Sequence, residues 1–136
     1  MASTKDEVRT IPISEEIDAG LAPSEAMILA EAIGLSRTKQ YMVATAVSEL
    51  ARNIVNYASK GQITLRVVRR GSQEGIEIVA EDNGPGIADV SQAMQDHFST
   101  SGGLGLGLPG AKRLMDEFKI ESKVGKGTKV TAIKWT

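Results

Sequence analysis

The segment 61–82 constrains the fold of this chain more than any other. It holds two short apolar runs, ITLRVV and IEIVAE, separated by GSQEG. Runs of this length, rich in β-branched side chains and parted by a glycine-bearing turn, form an antiparallel hairpin. The second run is apolar enough to read as a buried strand, so a covering layer is needed. One stands just upstream, where Val43, Val47, Leu50, Ala51, Ile54 and Ala58 recur at three and four residues and give a long helix one face made for a core. Ser36 or Thr38 can cap that helix, which is expected to reach about Ala58, and Gly34 ends the element before it. Its opposite face carries Thr45, Glu49, Arg52, Asn53 and Asn56.

The remaining elements arrange themselves around this pair. EVRTIPIS alternates as a first strand, and Ser14 with Glu16 and Ile17 starts a first helix that Pro23 is expected to interrupt, or to restart near AMILAEAI. ADVSQAM reads as a short helix and HFSTSGGLGLG as a polar, mobile loop. Pro109 suits the first turn of a helix through Phe118, and KIESKV, the turn GKGT and KVTAIKW form a second hairpin. This order predicts an α+β sandwich with helices on one face of a mixed sheet. With 136 residues, no repeat and no linker, a single domain over 1–136 is expected.

Composition removes several classes of function. A formal net charge of −1 supplies no electrostatic case for nucleic acid or an anionic membrane, and the pairs Arg69-Arg70 and Lys112-Arg113 read as solvated charge. Without cysteine there is no disulfide or thiolate metal site, and His97, the one histidine, builds no imidazole cluster. MASTKDEVRT lacks the apolar centre of a signal peptide, and no apolar run reaches membrane-spanning length, so a cytoplasmic location is expected. Met94, Met115 and Trp135 read as packing residues.

Three stretches carry candidate chemistry. In SELARN, Glu49 and Asn53 are four apart and project from one helix face, a carboxylate and an amide oxygen that suit Mg²⁺ or the positioning of a nucleophile. Such a pair alone is also what an amphipathic helix shows to water. In EDNGPGI, Asp82 stands beside backbone opened by Gly84 and Gly86, an arrangement that could admit a flat ligand. In SGGLGLGLPG, glycine amides followed by a helix N-terminus could hold phosphate. Gly105, Gly107 and Gly110 match G-x-G-x-x-G, but no strand precedes them as a dinucleotide-binding turn requires, and GKGT lacks the spacing of a phosphate-binding Walker loop.

In this order SELARN, EDNGPGI, STSGGLGLGLPG and VGKGT resemble the N, G1, G2 and G3 boxes of the Bergerat-fold, or GHKL, ATP-binding superfamily of gyrase, Hsp90, histidine kinases and MutL. The chain is most similar to serine/threonine kinases of the anti-sigma-factor type, specifically stressosome switch kinases of the RsbT type. The likeness runs from about Ile33 to Trp135. It implies a Bergerat two-layer sandwich, with helices on one face of a mixed, mostly antiparallel sheet, and ATP and Mg²⁺ as cofactors. It further implies that Asp82 accepts from the adenine amino group beside Gly84 and Gly86, that Asn53 holds Mg²⁺, and that Glu49 is the general base. Ser101, Gly102, Gly103, Leu104, Gly105, Leu106 and Gly107 would wrap the phosphates in a lid, and Thr128 would reach the adenine edge. Related kinases carry a lid arginine, whereas 96–108 has none here, which leaves Mg²⁺, backbone, Arg52, Lys112 or a partner to stabilise charge.

The implied activity is transfer of the terminal phosphate of ATP to a STAS-domain scaffold or antagonist protein, as a switch in stress signalling. A PP2C-type phosphatase or another downstream regulator is a further implied partner, and homodimerisation stays open. The alternatives are a non-catalytic ATP-binding partner-switching module and a detached gyrase- or MutL-type ATPase, the latter lacking room for a transducer domain.

Overall fold

The two alternating runs pair as expected, with Ile63 opposite Ala80 and Leu65 opposite Ile78, in a computed structural model that describes residues 8–94 and 107–136. In chain order the elements are β1 (Val8–Ile13), α1 (Glu16–Ala32), α2 (Arg37–Tyr57), β2 (Gly61–Arg70), β3 (Gln73–Asp82), α3 (Val90–Ala93), α4 (Gly107–Leu114), β4 (Glu117–Lys123) and β5 (Gly127–Trp135). The hairpin turn is tighter than GSQEG suggests, since only Gly71 and Ser72 connect the strands. Glu74 is drawn into the ladder opposite Arg69, which it pairs at 3.2 Å, and Gly75 lies against the Trp135 ring.

The sheet order is β1-β2-β3-β5-β4. All four pairings are antiparallel, so the mostly antiparallel sheet is wholly so among the described residues. Helices α1 and α2 pack on each other and cover one sheet face, and the core lies between these two layers. From α2 it takes Val43, Ala46, Val47, Leu50, Ala51 and Ile54, all fully or almost fully buried. From the sheet come Ile13, Ile63, Leu65, Ile76 and Ile78. Full burial of each such aliphatic side chain contributes about 2 kcal/mol, which makes the α2 contact the main anchor of the helical layer. Ser36 caps α2 by accepting from the Lys39 amide at 3.2 Å.

Two expectations about helices are corrected. Pro23 lies inside a continuous α1 and interrupts nothing. Ala19 and Ala22 before it and Ala26, Leu29 and Ala30 after it are all buried, and this docking on both sides of the proline outweighs the roughly 3 kcal/mol that an interior proline costs. The helix ends as Gly34 predicts: φ of Gly34 is +89°, its amide reaches the Glu31 carbonyl, and the Leu35 amide reaches that of Ala30. The helix begun at Pro109 stops at Leu114 rather than Phe118. Here the strand takes over, because the Asp116 amide donates to the Ile133 carbonyl at 2.9 Å and the Asp116 carboxylate accepts from the Trp135 amide at 2.7 Å.

The face of the sheet away from α1 and α2 is laced by charge. Arg66 pairs with Glu77 at 2.6 Å, and Arg70 stacks 4.8 Å above the Trp135 ring while gripping Glu117 through two bonds of 2.7 and 3.2 Å. Glu117 also accepts from the indole N–H of Trp135 at 2.7 Å. The Arg70 bond first, and the Trp135 bond next, hold its carboxyl below the ordinary glutamate value. A group with a depressed folded-state pKa stabilises fully above its unfolded value and loses that contribution as pH falls through the folded one. Acidification below 4.5 should therefore weaken the fold in part through Glu117. Glu117→Gln should flatten that acid limb when the denaturation midpoint is followed against pH.

Candidate functional site

Strand phase decides where Asp82 points. Ile76, Ile78 and Ala80 are buried under the helices, so Asp82, next in the same phase at the end of β3, faces the helix side as well. Directly opposite it in β5 is Thr128, in phase with buried Val130 and Ala132. Cross-strand partners hold their β-carbons about 5 Å apart, so a carboxylate and a hydroxyl stand side by side where the sheet ends. Asp82 Oδ1 accepts from the Gly84 amide at 2.9 Å, a local turn that carries the chain out of the sheet.

Gly84 and Gly86 have a structural task of their own. A methyl group at Gly84 would lie 2.6 Å from the Ala58 β-carbon, so the turn after Asp82 sits directly on the end of α2. Gly86 has φ +76° and lies against the Lys123 carbonyl, a conformation and a contact that both exclude a side chain. Two further glycines close the ring, with Gly61 against the Glu81 carbonyl and Gly127 against that of Asp82. The glycines of EDNGPGI thus bring backbone to backbone within the protein.

Glu49 and Asn53 lie on the side of α2 away from its core face, and both are half-buried rather than solvated. From Ala58 at the Asp82 turn, Asn53 is about 8 Å and Glu49 about 13 Å back along the helix axis. Arg52 is mostly exposed, its guanidinium 3.9 Å from the Glu49 carboxylate. Helix α4 packs against α2, and its first residue is Gly107. Ser101, Gly102, Gly103, Leu104, Gly105 and Leu106, the expected lid up to Gly107, lie with His97 outside the described residues.

A groove of about 680 Å³ opens beside Asp82 and Thr128, walled by Ser122, Lys126, Glu81 and Val90 among others. Its volume falls in the range of small-molecule sites. Glu49 and Asn53 are not among its lining residues. Ser122 is the residue that sequence reading missed. Its Oγ accepts from the Ile87 amide at 2.7 Å, donates to the Gly127 carbonyl at 3.0 Å and touches Thr128 Oγ1 at 2.8 Å. The available signal was strand phase in KIESKV, which puts Ser122 on the same face as Ile120 and opposite Thr128. Among the described residues no three histidine or acidic side chains converge to hold a metal ion. The donor set instead offers single ligands, as Mg²⁺ takes when phosphates and water complete its shell.

The antiparallel sheet under its helical layer is the fold of a class that the comparisons with known proteins identify. Residues 38–135 match the model for the histidine kinase-, DNA gyrase B- and HSP90-like ATPases. The chain is 54% identical over 107 residues to the serine/threonine-protein kinase RsbT of Bacillus subtilis (strain 168), covering 79% of this chain and 80% of that protein. It is 37% identical over 99 residues to the anti-sigma F factor of Thermoanaerobacter sp. (strain X514), covering 68% of each. A solved histidine kinase domain, from the blue-light activated histidine kinase of Erythrobacter litoralis EL346, shares the fold with TM-score 0.53 and 20% identity. The match covers 88% of this chain and 59% of that one. The chain belongs to the histidine kinase-, DNA gyrase B- and HSP90-like ATPase family, and within it is an ATP-binding protein serine/threonine kinase.

The close glycine contacts give a direct test. Gly84→Ala should force the Asp82 turn off the end of α2, and Gly86→Ala should cost more because the backbone conformation itself resists a side chain. Each should destabilise by about 1–3 kcal/mol in urea denaturation, with Gly86→Ala the larger.

Proposed function

We propose that this single domain, residues 1–136, transfers the terminal phosphate of ATP to a serine or threonine of a STAS-domain partner and so acts as a cytoplasmic switch in stress signalling. The observation that carries the site assignment is the seating of Gly84 on Ala58. That contact fixes Asp82 at one end of α2 while Asn53 and Glu49 stand about one and a half and two and a half turns back along the same helix. A base-binding residue at the end of β3 and two phosphate-side residues on α2 are thereby held in fixed register. The likeness to RsbT and to the anti-sigma F factors supports a partner-switching protein, and a PP2C-type phosphatase is part of the proposal as a second partner. No helix among the described residues is long and apolar enough to cross a membrane.

In this reading Asp82 accepts a hydrogen bond from the adenine amino group, and Thr128 contacts the same edge. Asn53 would hold Mg²⁺ through its amide oxygen, and the ion would supply charge neutralisation at the phosphates. The glycines from Gly102 to Gly107 and the N-terminal end of α4 offer amides to the phosphates. Glu49 takes the proton from the attacking hydroxyl as its oxygen bonds to the terminal phosphorus. The bond from that phosphorus to the bridging oxygen breaks, and ADP leaves with the electron pair. Arg52, its guanidinium 3.9 Å from the Glu49 carboxylate, is placed to orient it.

Loss of a base and loss of a metal ligand should be distinguishable. Glu49→Ala should bind Mg-ATP nearly as the wild type does, yet slow radiolabel transfer to a purified STAS partner by roughly a hundredfold to ten-thousandfold. Asn53→Ala should weaken Mg-dependent ATP binding itself. Undiminished transfer by Glu49→Ala would sink the base assignment, and no transfer even by the wild type would favour the non-catalytic switch.

A further inference from the structure

Three contacts converge on one hydroxyl in the wall of the groove. Ser122 Oγ lies 2.7 Å from the Ile87 amide, 3.0 Å from the Gly127 carbonyl and 2.8 Å from Thr128 Oγ1. A serine hydroxyl has one proton and two lone pairs. The Ile87 amide can only donate, so it occupies one lone pair. The Gly127 carbonyl can only accept, so it takes the serine proton. One lone pair remains for Thr128, and the 2.8 Å contact is a hydrogen bond only if the threonine supplies its own proton. The opposite assignment would aim the serine proton at Thr128 and leave two oxygens facing each other without a hydrogen, a contact that costs energy in a partly buried place.

The consequence reaches the groove. With its proton committed to Ser122, Thr128 Oγ1 shows only lone pairs to a ligand. Its cross-strand partner Asp82 has Oδ1 engaged by the Gly84 amide and is likewise an acceptor when ionised. The sheet end therefore presents two neighbouring acceptors and no side-chain donor from this pair. We propose that Ser122 is a specificity-determining positioning residue: by fixing the direction of the Thr128 hydroxyl it makes the site select a purine with a 6-amino group and reject one with a 6-oxo group. The two N–H bonds of a 6-amino group can meet both acceptors, whose strands hold them about 5 Å apart, whereas a 6-oxo group would bring its own lone pairs against them. The same bond to Ile87 ties the loop following Gly86 to β4, so the acceptor pair and the loop are set by one oxygen.

This inference rests on the reading that Asp82 and Thr128 face the base, and ATP and ITP test it because they differ only along that edge. Binding of each is measured by calorimetry, with folding checked by circular dichroism. Ser122→Ala frees the Thr128 proton to turn toward the ligand, so the preference for ATP over ITP should fall by about tenfold, the size of one hydrogen bond. Ser122→Thr keeps the hydroxyl and should restore the preference. Thr128→Val should lose as much as Ser122→Ala, and the double variant no more than either. Exchange of the Ile87 amide without nucleotide should quicken in Ser122→Ala and not in Ser122→Thr. An unchanged ATP to ITP ratio in folded Ser122→Ala, or equal weakening of both nucleotides, overturns the inference. Should Ser122→Ala not fold, Thr128→Val with an unchanged ratio overturns it equally. Asp82→Asn serves as the control on the underlying reading. If it retains near-normal ATP binding, the base site itself is misplaced; if it abolishes binding while the Ser122 ratio stays fixed, only the role of Ser122 fails.

Discussion

Backbone meets backbone around Asp82, and the candidate site hangs on that close approach. Gly61 abuts the Glu81 carbonyl, Gly127 abuts that of Asp82, Gly84 rests on Ala58, and Gly86 rests on Lys123. A β-carbon at any of the four would collide with main chain or with a short, fully committed side chain. The end of α2, the exits of β3 and β4 and the start of β5 are therefore locked together over a few ångströms. Hydrogen bonds alone would not achieve this, since each contributes only about 1 kcal/mol net and tolerates some drift. Steric exclusion tolerates almost none, because packed interiors have no spare volume into which a side chain could retreat.

That lock sets one helix against the whole length of the candidate site. The inward face of α2 is spent on the core, through Val43, Val47, Leu50 and Ile54, which fixes its rotation about its own axis. Rotation fixed, Glu49 and Asn53 must emerge on the other side, half-buried and one turn apart. The seating of Gly84 on Ala58 then fixes the helix along its length relative to Asp82. The energy for this comes from apolar burial and backbone fit, neither of which involves the polar residues. Those side chains are left with groups that a nucleotide, a cation and a hydroxyl could use.

Much of this was legible in the sequence. The period of three and four in α2 and the alternation of the two hairpins are strong because burial enforces them over many residues. The pairing of Asp82 with Thr128 was not legible in the same way, because it needs β3 of one hairpin to dock beside β5 of the other. Less legible were the outcomes decided by competition. Pro23 reads locally as a break, and only the buried alanines on either side of it keep α1 continuous. Phe118 reads as the end of a helix, and only the bonds from Asp116 to β5 convert that stretch into strand.

The sequence by itself determined the layer of helices over the sheet, the family motifs and the carboxylate and amide on one face of α2, because each is written in residues close together along the chain. Tertiary structure alone decided what the glycines of EDNGPGI touch and which way the Thr128 hydroxyl points. Ala58, Gly84 and Lys123 are far apart in sequence, and so are Ile87 and Ser122, so no local pattern records that they meet. A hydroxyl proton goes where the surrounding donors and acceptors leave room for it, and those neighbours exist only once the strands have paired.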